Sequence, residues 1–87
     1  MKPGEDIIED GIKDLVEGRE SIASLLVSIG APRLRRLGLE IPESDLASPE
    51  HRLYHRLREI DPDASHSQYN ALIRRLVSFE RAVECGT

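Results

Sequence analysis

An all-α domain, a small bundle of three to five helices, is the fold class this sequence predicts. Two long apolar stripes at helical spacing carry that prediction, one in the first third of the chain and one in the last. Between them lie helix start and stop signals, and no stretch alternates polar and apolar with the two-residue period of a strand. A chain of 87 residues encloses one core, so residues 1–87 read as a single domain.

The first stripe opens after Pro3 and Gly4. Glu5, Asp6, Glu9 and Asp10 follow, carboxylates that favour the positive end of a helix dipole. A helix starting here presents Ile8, Ile12, Leu15, Arg19, Ile22, Leu26 and Ile29 on one face. The spacing predicts a long N-terminal helix from about Glu5 to Ile29, packed on the C-terminal helix. It is kinked or briefly broken near Gly18, because the stripe keeps its phase across that residue. Gly11 and Gly18 each cost roughly 1 kcal/mol relative to alanine in such a helix. Gly30 is expected to supply a left-handed C-cap, with Pro32 preventing continuation.

Pro32 to Leu37 reads as a short helix or turn stopped by Gly38. Leu39, Ile41 and Leu46 then anchor a polar loop to the core. Ser48-Pro49-Glu50 places serine at an N-cap and proline at the first helical position. The helix it opens runs to about Ile60, with Leu53, Leu57 and Ile60 inward, and Asp61-Pro62 ends it. Ser65 and Gln68 match the S-x-x-Q capping box of a last helix reaching about Glu84, with Tyr69, Leu72, Ile73, Leu76, Glu80 and Val83 inward. Val16, Leu25, Val27, Val77 and Phe79 flank the two stripes and make them broader than one partner helix covers.

Twelve basic and sixteen acidic side chains give a net charge of −4, unevenly placed. Residues 1–30 hold three basic and seven acidic groups, residues 31–60 six and five, and residues 61–87 three and four. Ten of the basic residues are arginine, suited to bidentate pairing with carboxylate or phosphate. Cys85 is the single cysteine, so no internal disulfide forms, which fits a reducing, cytoplasmic setting. MKPGEDIIED is acidic where a secretory leader is basic, and no apolar run approaches the roughly 20 residues that span a bilayer. A soluble cytoplasmic protein without a membrane partner is therefore expected.

Four features are candidates for function. Arg19 and Glu80 intrude into the two stripes, and a buried charge is too costly to leave unpaired. They are expected to meet across the bundle or across a subunit interface, or else to escape to solvent at a kink. Arg33, Arg35 and Arg36, with Arg52, Arg56 and Arg58, are candidates for binding an anion or an acidic partner. Ser21 to Leu37 has a loose look of helix-turn-helix, but Pro32 to Gly38 is too short for a recognition helix, and the net charge is wrong for a stand-alone DNA binder. His51 and His55 stand one helical turn apart and form a weak metal candidate, outward-facing and flanked by arginine. The carboxylates Glu5, Asp6, Glu9, Asp10 and Asp14 lack any nearby nucleophile or phosphate-binding glycine loop and read as a solvated face.

No catalytic residue and no cofactor is assigned. The sequence supports a non-catalytic helical interaction or regulatory module, a homodimer or a protein that docks on a partner. Nucleic-acid binding through the arginines of residues 33–58 is the alternative, and metal-binding or hydrolytic chemistry ranks third.

Overall fold

The computed structural model describes residues 2–43 and 47–86. Among them the chain folds into a bundle of four α-helices: α1 (Glu5–Val16), α2 (Ile22–Arg36), α3 (Pro49–Ile60) and α4 (Ser65–Glu84). The bundle measures 37 × 25 × 18 Å. Helix α2 is its centre and packs against each of the other three. Its Ser24, Leu25, Leu26, Val27, Gly30, Ala31 and Leu34 are all buried. Ile8, Leu53, Leu57, Leu76 and Phe79 complete the core from the surrounding helices.

At Gly18 the long first stripe takes the break rather than the kink. Gly18 adopts φ +72°, its N–H donates to the Leu15 carbonyl, and the Arg19 N–H donates to that of Asp14. This Schellman pattern closes α1. The chain restarts at Ser21, whose hydroxyl oxygen accepts from the Ser24 N–H at 3.0 Å while the Ser24 hydroxyl oxygen accepts from the Ser21 N–H at 2.7 Å. That reciprocal cap fixes the first residue of α2. The second half of the stripe, now α2, packs on α4. The start of α1 reaches α4 as well, where Asp6 pairs with Arg75 at 3.0 Å.

Gly30 and Pro32 do not end a helix. Both lie inside α2, which continues to Arg36 and closes at Gly38, φ +100°, with a second Schellman pattern. Pro32 removes one backbone donor, but Leu34 just beyond it is fully buried, so the extra turn is held by the core. Leu39 sits against the core at the position where the Schellman motif makes its apolar contact with Leu34. Gly30 serves packing instead: a β-carbon there would stand 2.7 Å from Leu76 Cδ1. With no turn at Gly30, the helix-turn-helix likeness disappears.

Helix α3 starts at Pro49 as its sequence dictates, although Ser48 caps it through the backbone alone, at φ 51°. The capping box expected at α4 is absent. Asp61 Oδ1 accepts from the Asp63 and Ala64 N–H groups at 3.1 and 3.3 Å, and the Ser65 hydroxyl donates to the Pro62 carbonyl. Asp61 thus shapes the turn that leads into α4, whose first turn carries no side-chain cap. Ile41 is buried and Leu39 half-buried, as anchors should be, while Leu46 lies outside the described residues. Ile60, expected inward, is 65% exposed at the end of α3. Of the residues flanking the stripes, Leu25, Val27 and Phe79 are covered, and Val16 and Val77 remain in solvent.

Candidate functional site

Arg19 and Glu80 do not meet within the chain. Arg19 falls in the α1–α2 connection, outside any helix, and bridges Glu17 at 2.7 Å in solvent. The break that frees it is the reason the stripe pattern misplaced it. Glu80 is buried on α4, and the cation beside it is Arg33 of α2, whose Nε stands 4.0 Å from its Oε1. Burial holds the Glu80 carboxyl above the usual carboxylate range, and the Arg33 charge only partly offsets that. Arg33 makes its short contact elsewhere, with Glu84 one turn further along α4 at 2.6 Å. Nothing in the spacing of the sequence links Arg33 to Glu80, because the pairing follows from α2 continuing past Pro32.

The arginines of the middle third do not converge on one face. Arg33 reaches α4. Arg35 donates through Nε and Nη2 to the Ile41 carbonyl and through Nη2 to that of Pro42, which fastens the loop after α2. Arg52 and Arg56, one turn apart on α3, both engage Glu20 of the α1–α2 connection, at 2.9 and 3.2 Å. Arg52 also donates to the Ala47 carbonyl. Arg36 and Arg58 are exposed. Carboxylates and carbonyls of the same chain thus occupy Arg33, Arg35, Arg52 and Arg56. Glu20 is the hub of the α1–α2–α3 junction, a role no local sequence signal marks. Because these pairs are half-exposed, Glu20→Gln is expected to lower stability by less than about 1 kcal/mol, with the loss shrinking at high salt; urea melts at two ionic strengths check this.

His51 and His55 are exposed on α3, and His55 Nε2 contacts Glu59 Oε1 at 2.9 Å. Among the described residues, no group of three or more histidine, cysteine, aspartate or glutamate side chains is placed to hold a metal. Asp6 is paired with Arg75, and Asp14 Oδ2 accepts from the Ser21 hydroxyl at 2.6 Å. That hydroxyl oxygen also accepts the Ser24 N–H, so Ser21 works as a helix cap tied back to α1. Tyr54 and Tyr69 meet edge to face at 5.8 Å between ring centres, joining α3 to α4. Burial, and then the charge of Glu50, holds the Tyr69 phenol above its ordinary value.

Two grooves flank α1. The first, about 680 Å³, has Ile22 and Ala23 at its base. Asp10, Lys13 and Asp14 of α1, with Glu17 and Arg19 just beyond it, line one side, and Arg56 and Ile60 of α3 the other. The second, about 580 Å³, lies between α1 and α4. Ile8, Ile12, Leu39, Phe79 and Val83 line it, with Lys2, Glu5 and Glu9 at its rim. No helix among the described residues is long and apolar enough to cross a membrane. No protein-family model, no curated protein and no solved structure matches this chain.

Proposed function

We propose that this protein is a small, non-catalytic helical interaction or regulatory module of the cytoplasm that self-associates. The observation that supports this reading best is the groove between α1 and α3. One wall carries Asp10, Asp14 and Glu17 with Lys13 and Arg19 among them, while the other carries Arg56, half-exposed beside its partner Glu20, and the exposed Ile60, with Ile22 and Ala23 between. Charges of both signs beside an exposed apolar side chain can pair with a second copy across a two-fold axis, Asp10 and Asp14 of one copy facing Arg56 of the other and Ile60 meeting apolar surface. A small domain gains stability from such association because its own core is limited. The cytoplasmic setting rests on Cys85, a free thiol with no second cysteine to pair with.

Size-exclusion chromatography with light scattering on the untagged protein, recorded at 260 and 280 nm, tests the proposal. A mass of two chains with low 260 nm absorbance is the expected result, and Ile60→Asp, at a site that is already exposed, is expected to return the mass to one chain. A monomer at every concentration overturns self-association. Persistent 260 nm absorbance overturns the whole reading in favour of nucleic acid held by the arginines, since a chain without tryptophan absorbs little itself.

A further inference from the structure

We infer that the groove between α1 and α4 is a docking site for a short amphipathic helix with basic flanks, supplied by a different protein. The apolar strip continues beyond the groove, because Val16 follows Ile12 and Ile8 at steps of four residues, positions that share a face of α1. Val16 is 70% exposed, the most exposed large apolar side chain among the described residues. The start of α1 comes close to α4. There Gly4 lets the chain approach the Arg75 carbonyl, where a β-carbon would stand 2.7 Å away, and Asp6 pairs with Arg75. Further along, the two helices share the groove walls, with Ile12 and Val83 half-buried at its sides. An apolar channel between two helices is the geometry that takes a third helix through anchors at i, i+3 or i+4, and i+7.

Charge selects the occupant. Glu5 and Glu9 lie one turn apart on the rim and form no ion pair with any described residue, while Lys2 is the lone cation at one end. A rim dominated by one sign cannot pair with its own copy across a two-fold axis, unlike the mixed walls of the α1/α3 groove. The strip Arg74, Val77 and Arg81 on the outside of α4 is basic but carries a single apolar residue. Seated in a neighbour's groove, that strip would offer one apolar side chain to a channel lined by Ile8, Ile12, Leu39, Phe79 and Val83, too little to fill it. A basic amphipathic helix of another chain satisfies both the channel and the rim.

This inference rests on the interaction-module reading but not on self-association, and one experiment separates them. A labelled helical peptide of about three turns, with leucines at i, i+4 and i+7 and lysines on both flanks, is titrated with the 87-residue chain by fluorescence anisotropy. A second peptide carries glutamate for every lysine. The lysine peptide is expected to bind at least about ten-fold more tightly, the scale that two exposed charge pairs and their reversal to repulsion supply. Amide shifts are expected at Ile12, Val16, Leu39 and Val83. Glu5→Gln with Glu9→Gln, at surface positions that leave the core intact, is expected to erase most of the preference. Failure of the lysine peptide to bind, equal binding of both peptides, or shifts confined to other faces overturns the inference. A monomer that binds the lysine peptide keeps it and discards the dimer, whereas a dimer that ignores the peptide does the reverse.

Discussion

Gly11→Ala is expected to destabilise the domain by about 3 kcal/mol, lowering Tm by roughly 15 °C in a domain of this size. Glycine inside α1 looks like a defect, and alanine there gains about 1 kcal/mol of helix propensity. The structure reverses the sign. A β-carbon on Gly11 would fall on the backbone carbonyl of Ala23 and on Val27 Cγ2, both held in α2. A carbonyl inside a central helix cannot rotate away, so α1 must lift and expose Ile8 and Leu15. Gly30→Ala is expected to cost less, because the atoms it meets are the far end of Leu76, which can turn. Gly18→Ala is expected to cost about 1 kcal/mol for its left-handed φ alone, with nothing within 4 Å to resist the new atom. Thermal melts of the three variants give the order, and a Gly11→Ala melt equal to that of Gly18→Ala would refute the close α1–α2 approach.

The second large effect concerns Glu80. If Arg19 were its partner, Glu80→Leu would strand a buried cation and lose stability. With Arg19 in solvent and Arg33 held by Glu84, Glu80→Leu is instead expected to be neutral or stabilising at pH 7, by up to about 2 kcal/mol. Arg33→Ala is expected to destabilise by about 1–2 kcal/mol at pH 7, because it leaves the buried carboxylate without its nearest cation. The pH dependence has a definite sign. Burial raises the folded pKa of Glu80 above its unfolded value of about 4.5, so through that window the folded state binds more protons than the unfolded one. The stability contributed by Glu80 is therefore fully present below the unfolded pKa and is lost as pH rises through the folded pKa. Glu80→Gln removes this dependence, and the Arg33→Ala penalty is expected to shrink toward pH 4.5 as Glu80 takes up its proton. Urea melts of wild type, Glu80→Gln and Arg33→Ala across pH 4–8 measure both effects, and parallel curves for wild type and Glu80→Gln would refute them.

The start of α3 at Pro49, its end before Asp61-Pro62 and the stop at Gly38 were legible because proline and glycine act on the backbone locally, whatever surrounds them. Leu53, Leu57 and Leu76 were legible as core from periodicity. Pro32 misled because its missing N–H is one local loss, set against a fully buried Leu34 in the next turn. Ile60 misled because a stripe gives the direction of a side chain and not whether another helix reaches it. Among the candidate residues, Arg52 and Arg56 were legible as cations on one face of α3. Their convergence on Glu20 was not, since it depends on where the break after Val16 places that carboxylate.

By itself the sequence determined the helical class, the approximate helices and most of the core, because hydrophobic period and backbone punctuation are properties of a few neighbouring residues. Only the tertiary structure decided that α2 is the central helix, that Arg33 and not Arg19 stands beside Glu80, that Gly11 and Gly30 are contact points, and that an acid-rimmed apolar groove remains between α1 and α4. Those outcomes depend on distances between segments far apart in the chain, and such distances are set by how all the helices share one core at once.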